Sequence, residues 1–193
     1  MKIKKYISHF FLATMSLLFL ISNSSAQNST QFEVKIDSIS KVLVSKMTLQ
    51  QKVELIMLIH SENKTLGLPA YNVGHEALHG VARAGRATIF PQAIGLAATF
   101  DSVLIYQVAE AISWEARAKY EIFKKAGLEK EYFTGLSFFS PNINIYRDPR
   151  WGRGMETYGE DPFLTSRIGL AYVHGMQGNH PYMLRTATCA KHY

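Results

Sequence analysis

Three apolar segments alternate with two long amphipathic stretches in this chain, and few folds accept that order. "LGLPAYNVG" (66–74), "GLSFFSPNINIY" (135–146) and "MLRTATCA" (183–190) read as strands, the second apolar on both faces as a covered parallel sheet requires. Between the first two, Asp101 can cap a helix whose stripe runs Leu104, Val108, Ala111, Ile112, Ala118 and Ile122, ending at Gly127. Between the second and third, Asp161-Pro162 is a cap followed by proline at the first helical position. Leu164, Ile168, Ala171 and Tyr172 carry that helix to Gly178. Upstream, Ile36, Ile39, Leu43 and Met47 recur at helical spacing, and Thr48 forms a capping box with Gln51 for a helix through Val53, Ile56 and Met57. Strand, helix, strand, helix, strand implies right-handed βαβ units and a parallel sheet. The fold class is α/β.

The unusual polar residues gather after the strands. His75, Glu76 and His79 follow the first, "NINIYRDPRWGRGMETYGEDP" follows the second, and Lys191 and His192 follow the third. Polar groups collected at the carboxyl ends of successive parallel strands make the active face of a (β/α) barrel. Periodicity alone leaves an open doubly wound sheet equally available, although no Gly-x-Gly-x-x-Gly follows any strand to support its nucleotide-binding version.

The N-terminus reads as an export signal. Residues 1–26 begin with Lys2, Lys4 and Lys5, continue through an apolar run from Phe10 to Ile21, and end with small residues Ser24 and Ala26. The apolar run is short for a membrane span, and no stop-transfer flank follows. Cleavage would leave 27–193 as one domain, secreted or periplasmic, with no stable membrane span. Without the three leader lysines the net charge of +6 falls to +3, and no basic run or stripe suggests nucleic acid. The single cysteine, Cys189, excludes an internal disulfide, and its apolar flanks suggest a buried small residue.

"VGHEALHGV" contains His-Glu-x-x-His at His75, Glu76 and His79, the spacing with which a helix presents two imidazoles to zinc beside a general base. Gly74 and Gly80 flank it, a strand candidate ends just before it, and the longer metalloprotease pattern with a third histidine is absent. No metal or cofactor is expected. A zinc protease and a non-catalytic sugar-binding module remain the alternative readings.

The long stretch "FFSPNINIYRDPRWGRGMETYGEDPFLTSRIGLAYVHGMQG", with "FPQAIGLAATFD" and the closing "AKHY", closely resembles the N-terminal domain of family 3 glycoside hydrolases. "EALHGVAR" points to the β-xylosidase and β-glucosidase branch, and the resemblance covers about Ile36 to Tyr193. It implies a (β/α)8 TIM-type barrel, of which about the first three strands and their helices are present. It also implies exo-acting removal of a sugar from the non-reducing end of a β-linked xylo- or gluco-oligosaccharide, with retention and without metal. By the same resemblance, Arg153 in "WGR" binds the terminal sugar, Lys191 and His192 take its hydroxyls, and Glu76 is the strand-one carboxylate, a position where Glu is more usual in xylosidase-like members. The family's nucleophilic aspartate lies in an "SDW"-like motif on a later strand and its acid/base further on. Neither motif is present, so the chain is expected to be a fragment without its catalytic carboxylates.

Each residue also has a plainer role to weigh. Glu76 could cap a following helix, Arg153 could pair with Asp148 or Glu156, and His192 could be a satisfied core histidine. Trp151 could be a sugar platform or loop packing. Glu115 reads as a structural partner, Asp161 as a cap with Glu160 in the first turn, and His75 and His79 as loop supports.

Overall fold

The computed structural model describes residues 33–57 and 59–192. The leader assigned to 1–26 lies outside them. The chain divides between Lys52 and Val53 into two units. In the first, 33–45 are helical (α1), with an exposed Asp37–Lys41 ion pair at 2.6 Å that water screens to little effect. The capping box forms as read: Thr48 N donates to Gln51 Oε1 at 2.9 Å, and Gln51 N to Thr48 Oγ1 at 3.2 Å. It opens α2, Leu49–Leu55, which stops before Ile56 and Met57 and buries no residue.

In the second unit the first strand candidate needs correction. Segment 66–74 contributes β2 (Tyr71–Asn72), which pairs antiparallel with β1 (Ile59–His60) instead of joining the parallel set. An Asx turn, with Gly74 N donating to Asn72 Oδ1 at 2.9 Å, redirects the chain after β2. The parallel ladder begins only at His75, whose N–H donates to Ser137 O at 3.3 Å and whose carbonyl accepts from Phe139 N at 2.7 Å.

From there the expected order holds. β3 (Ser137–Phe138) lies between His75 and β4 (Ala187–Thr188), all parallel and in chain order. Asn142 and Lys191 extend the β3–β4 ladder at its carboxyl end: Lys191 N donates to Pro141 O at 2.9 Å and Ile143 N to Lys191 O at 2.8 Å. After His75 come the five-residue α3 (Ala93–Ala97), which the sequence reading did not assign, and the 24-residue α4 (Ser102–Lys125). Asp101 caps α4 by accepting from Val103 N and Leu104 N. Asp161 caps α5 (Pro162–Gln177) by accepting from Leu164 N at 2.6 Å, with Pro162 at its start.

The buried line of α4 differs from the stripe read in sequence. Ile105, Val108, Ala109, Ile112, Ser113 and Ala116 face inward, whereas Leu104, Ala111, Ala118 and Ile122 are exposed. The cause is the crossing with α5, against which α4 packs. At Gly175 a Cβ would stand 2.4 Å from Tyr106 O and 2.7 Å from the Ala109 Cβ, so small residues set the contact line. Ser113 satisfies its hydroxyl there, donating to Glu110 O at 2.7 Å. Phe138, Ile168, Tyr172 and Met176 complete a core with Ala77 and Leu96.

Cys189 is exposed, not buried. It lies just past β4, and among the described residues no helix or strand follows β4 to cover it. Glu115 is the structural partner expected of it, accepting from Thr88 N at 3.0 Å.

Candidate functional site

The loop after β3 is built around a 3-10 turn, Gly154–Glu156 (η1). A Cβ at Gly154 would fall 2.2 Å from Tyr146 Cζ, so any other residue there would have to push the Tyr146 ring aside. Trp151 meets the same Tyr146 ring edge-on, with centroids 6.3 Å apart. Thr157 and Tyr158 are buried behind the turn, and Thr157 Oγ1 donates to Gly154 O at 2.8 Å. The anchored turn sets Arg153 and Glu156 three residues apart on one side. Their forks meet squarely: Arg153 Nε donates to Glu156 Oε1 and Nη2 to Oε2, both at 2.6 Å. Asp148 is not Arg153's partner; it is taken by Arg150 at 2.6 Å.

Lys191 reaches the same carboxylate from the end of β4, its Nζ 3.9 Å from Glu156 Oε2 with the side chain only 7% exposed. Burial holds the ammonium below its ordinary range; Glu76 and Glu156 oppose this, and Arg153 adds to it. Glu156 is held below the usual carboxylate range, first by the hydrogen bond from Arg153 and then by the charges of Arg153, Lys191 and His192, against desolvation. Arg153 is raised by its bond to Glu156, with Glu76 contributing charge from the first strand's end. Glu76, Arg153, Lys191 and His192 therefore share one electrostatic neighbourhood at the carboxyl ends of the strands. Glu156 sits among them and was not assigned from sequence, where it stood only as a possible partner of Arg153.

His192 is exposed and follows Lys191 through a cis peptide. Asn144 Oδ1 accepts from both its backbone N–H, at 3.0 Å, and its Nδ1, at 2.9 Å. Asn144 N in turn donates to Oδ1 of the fully buried Asn142 at 3.0 Å. Partial desolvation, then the charges of Lys191 and Arg153, hold the imidazole below its usual range, with Glu156 opposing. His192 is thus no core histidine.

The His-Glu-x-x-His segment is not helical. His75 is a ladder residue, Glu76 is irregular, and His79 lies in a bend, where its Nδ1 meets Phe90 O at 2.8 Å. The His75 ring is buried against Gly135. The geometry that zinc proteolysis requires does not form, and among the described residues no three His, Cys, Asp or Glu converge as a metal-binding set. No helix begins after Glu76 either, which removes its reading as a cap. A cavity of about 350 Å³ lies elsewhere, lined by the leading ends of the strands (His75, Ser137, Thr186) with Arg117 and Glu129, and none of the four candidates lines it.

Comparison with known proteins supplies what the three strands leave open. The model for the glycosyl hydrolase family 3 N terminal domain matches residues 18–193. This chain belongs to glycosyl hydrolase family 3. It is 42% identical over 164 residues to Beta-D-xylosidase 3 of Arabidopsis thaliana, covering 78% of this chain and 20% of that protein. It is 43% identical over 154 residues to a xylan 1,4-beta-xylosidase of Xylanibacter ruminicola, covering 78% and 18%. A GH3 exo-beta-xylosidase solved with a xylobiose aziridine activity-based probe superposes with a TM-score of 0.63 at 38% identity, over 81% of this chain and 20% of that one. The chain thus spans about a fifth of the length of these relatives. As a member of this family it carries part of a TIM-barrel-like α/β fold, and its parallel strands and helices are the opening units of that barrel rather than of an open sheet.

Proposed function

We propose that these residues are the N-terminal part of an exo-acting, retaining β-glycosidase of β-xylosidase type, and that they furnish the pocket for the terminal sugar. The observation that carries the reading is that Arg153 and Lys191 meet at the Glu156 carboxylate, 2.6 and 3.9 Å away, with His192 next to Lys191 and the charge of Glu76 acting on both cations. Arg153 and Lys191 donate charge-assisted hydrogen bonds and Glu76 accepts them, which suits a ring of hydroxyls and penalises an epimer that leaves a charged group unmatched. Glu76 in place of aspartate and the β-xylosidase names of the relatives favour xylose over glucose.

A retaining mechanism needs two carboxyl groups about 5–5.5 Å apart, one free to attack and one to shuttle a proton. Glu156 is committed to Arg153 through both oxygens, which suits a scaffold and not a nucleophile. The nucleophile and the acid/base are therefore assigned to residues outside these 193, and this chain to substrate recognition. We assign the protein to the secreted or periplasmic compartment, with cleavage before Gln27.

The test is the full-length reading frame assayed on aryl β-xyloside and aryl β-glucoside, with the anomer of the first product read by proton NMR. Xyloside turnover with retention is expected. Arg153→Ala should lose a charged hydrogen bond worth roughly 1.5–3 kcal/mol, about a ten- to hundredfold fall in kcat/KM. An unaffected variant would remove Arg153 from the pocket.

A further inference from the structure

A backbone N–H can only donate, so the Asn144 side-chain atom 3.0 Å from His192 N is its carbonyl oxygen and not its amide nitrogen. The same oxygen lies 2.9 Å from His192 Nδ1. An amide oxygen only accepts, so Nδ1 must carry a hydrogen. In a neutral imidazole that leaves Nε2 as a bare lone pair. Nε2 has no hydrogen-bond partner among the described residues, and the ring is exposed. The backbone that carries Asn144 is held in place, because its N–H donates to Oδ1 of Asn142, which is fully buried and pairs with Lys191 at the end of the β3–β4 ladder.

We infer that Asn144 is a positioning residue that fixes His192 in the Nδ1–H form, so that Nε2 accepts a hydrogen bond from a hydroxyl of the bound sugar instead of donating one. The inference deepens the reading above and rests on it. Every other assigned partner has a fixed sense: Lys191 and Arg153 donate, and Glu76 as a carboxylate accepts. A neutral His192 beside Lys191 lets one hydroxyl accept from the ammonium and donate to Nε2, which satisfies both of its roles at once. Protonation would turn Nε2 into a donor and set it against that hydroxyl's hydrogen. The charged groups facing the ring are Lys191 after β4, Arg153 just before the η1 turn and Glu156 on it; partial desolvation and the two cations favour the neutral form, and Glu156 opposes.

The experiment uses the full-length enzyme with an aryl β-xyloside and compares wild type, Asn144→Leu, Asn144→Asp, His192→Gln and the Asn144→Leu/His192→Gln double variant, each checked by thermal melting. Asn144→Leu should raise KM at least tenfold with a much smaller change in kcat, and the double variant should be no worse than His192→Gln alone. Asn144→Asp keeps an acceptor for Nδ1 and should restore KM at alkaline pH. Its carboxylate favours the imidazolium, so its KM should rise as pH falls through neutrality, where wild type stays flat. Losses that simply add in the double variant, or an Asn144→Asp profile that follows wild type, would overturn the inference. If Asn144→Leu fails to fold, the Asn144→Asp profile decides alone. Wild-type enzyme that turns over no β-glycoside would overturn the underlying reading and this inference with it; wild-type turnover with unmoved variants overturns the inference only.

Discussion

Glu156 shows how a residue with no role assigned from sequence can organise a candidate site. A carboxylate three positions after an arginine is an ordinary surface pair by spacing, and surface pairs contribute little. Its significance comes from the η1 turn, which seats it between Arg153 and the nearly buried Lys191. Glu76, Arg153, Lys191 and His192 were singled out because the family resemblance implies roles for them; Glu156 and Asn144, in the same stretch as Arg153, were not, because Lys191 and His192 reach them from 35 and 48 residues away. Glu156→Ala should leave Arg153 unguided and Lys191 short of a counter-charge, lowering kcat/KM about tenfold or more in steady-state assays of the full-length enzyme. The sign of its pH dependence follows from its depressed folded value. Such a carboxylate stabilises fully above its unfolded value, near 4.5, and loses that contribution as pH falls through the lower folded one. Melting temperatures of wild type and Glu156→Gln should therefore differ at pH 7 and converge below about pH 4.5. A constant gap from pH 7 to 3 would show that the pair is energetically idle.

At the scale of elements, local signals survived and facing did not. The Thr48 box, the Asp101 cap and the Asp161-Pro162 start all form because each needs only neighbours within three residues. The α4 stripe was rotated because apolar residues lie on both sides of Ile105, and hydrophobicity does not register that Ser113 can face a helix whose closest point is glycine. The first strand was misplaced by similar logic. The apolar segment 66–74 is real, yet its Asx turn at Asn72 hands the parallel pairing on to His75. The α4–α5 crossing gives a direct test. Gly175→Ala would drive a methyl into the Tyr106 carbonyl, a backbone atom that cannot swing aside as a side chain would. It should cost about 1–3 kcal/mol by overpacking, seen as a lower melting temperature with KM little changed. Gly127→Ala, where nothing stands within 4 Å, should be strained only by its positive φ of 71°.

The whole molecule poses the question of what these strands can do by themselves. β4 pairs on one side only among the described residues, and its free edge carries unsatisfied N–H and C=O groups of the kind that recruit other chains. Large apolar side chains such as Phe163, Leu170, Met183 and Leu184 are 74, 54, 66 and 50% exposed, on α5 and on the approach to β4. A closed barrel would cover both, because strands and helices added beyond β4 meet that edge. Family membership was legible in the sequence because the specific motifs cluster in the opening βαβ units, whereas closure of a barrel depends on strands beyond those among the described residues. The mature form, expected to begin at Gln27 with N-terminal sequencing of secreted material as its check, should therefore behave poorly when residues 27–193 are expressed alone. Light scattering should report oligomers or aggregate, and aryl β-xyloside turnover should be at least a thousandfold below that of the full-length enzyme, since on the proposed assignment the nucleophile that forms the glycosyl-enzyme bond lies outside these residues. Any residual affinity for xylose should be weak, because Arg153 and His192 are exposed to solvent. A soluble monomer turning over aryl xyloside near the full-length rate would show that the catalytic carboxylates lie within these residues, and Glu76 and Glu156 would then be the pair to substitute first.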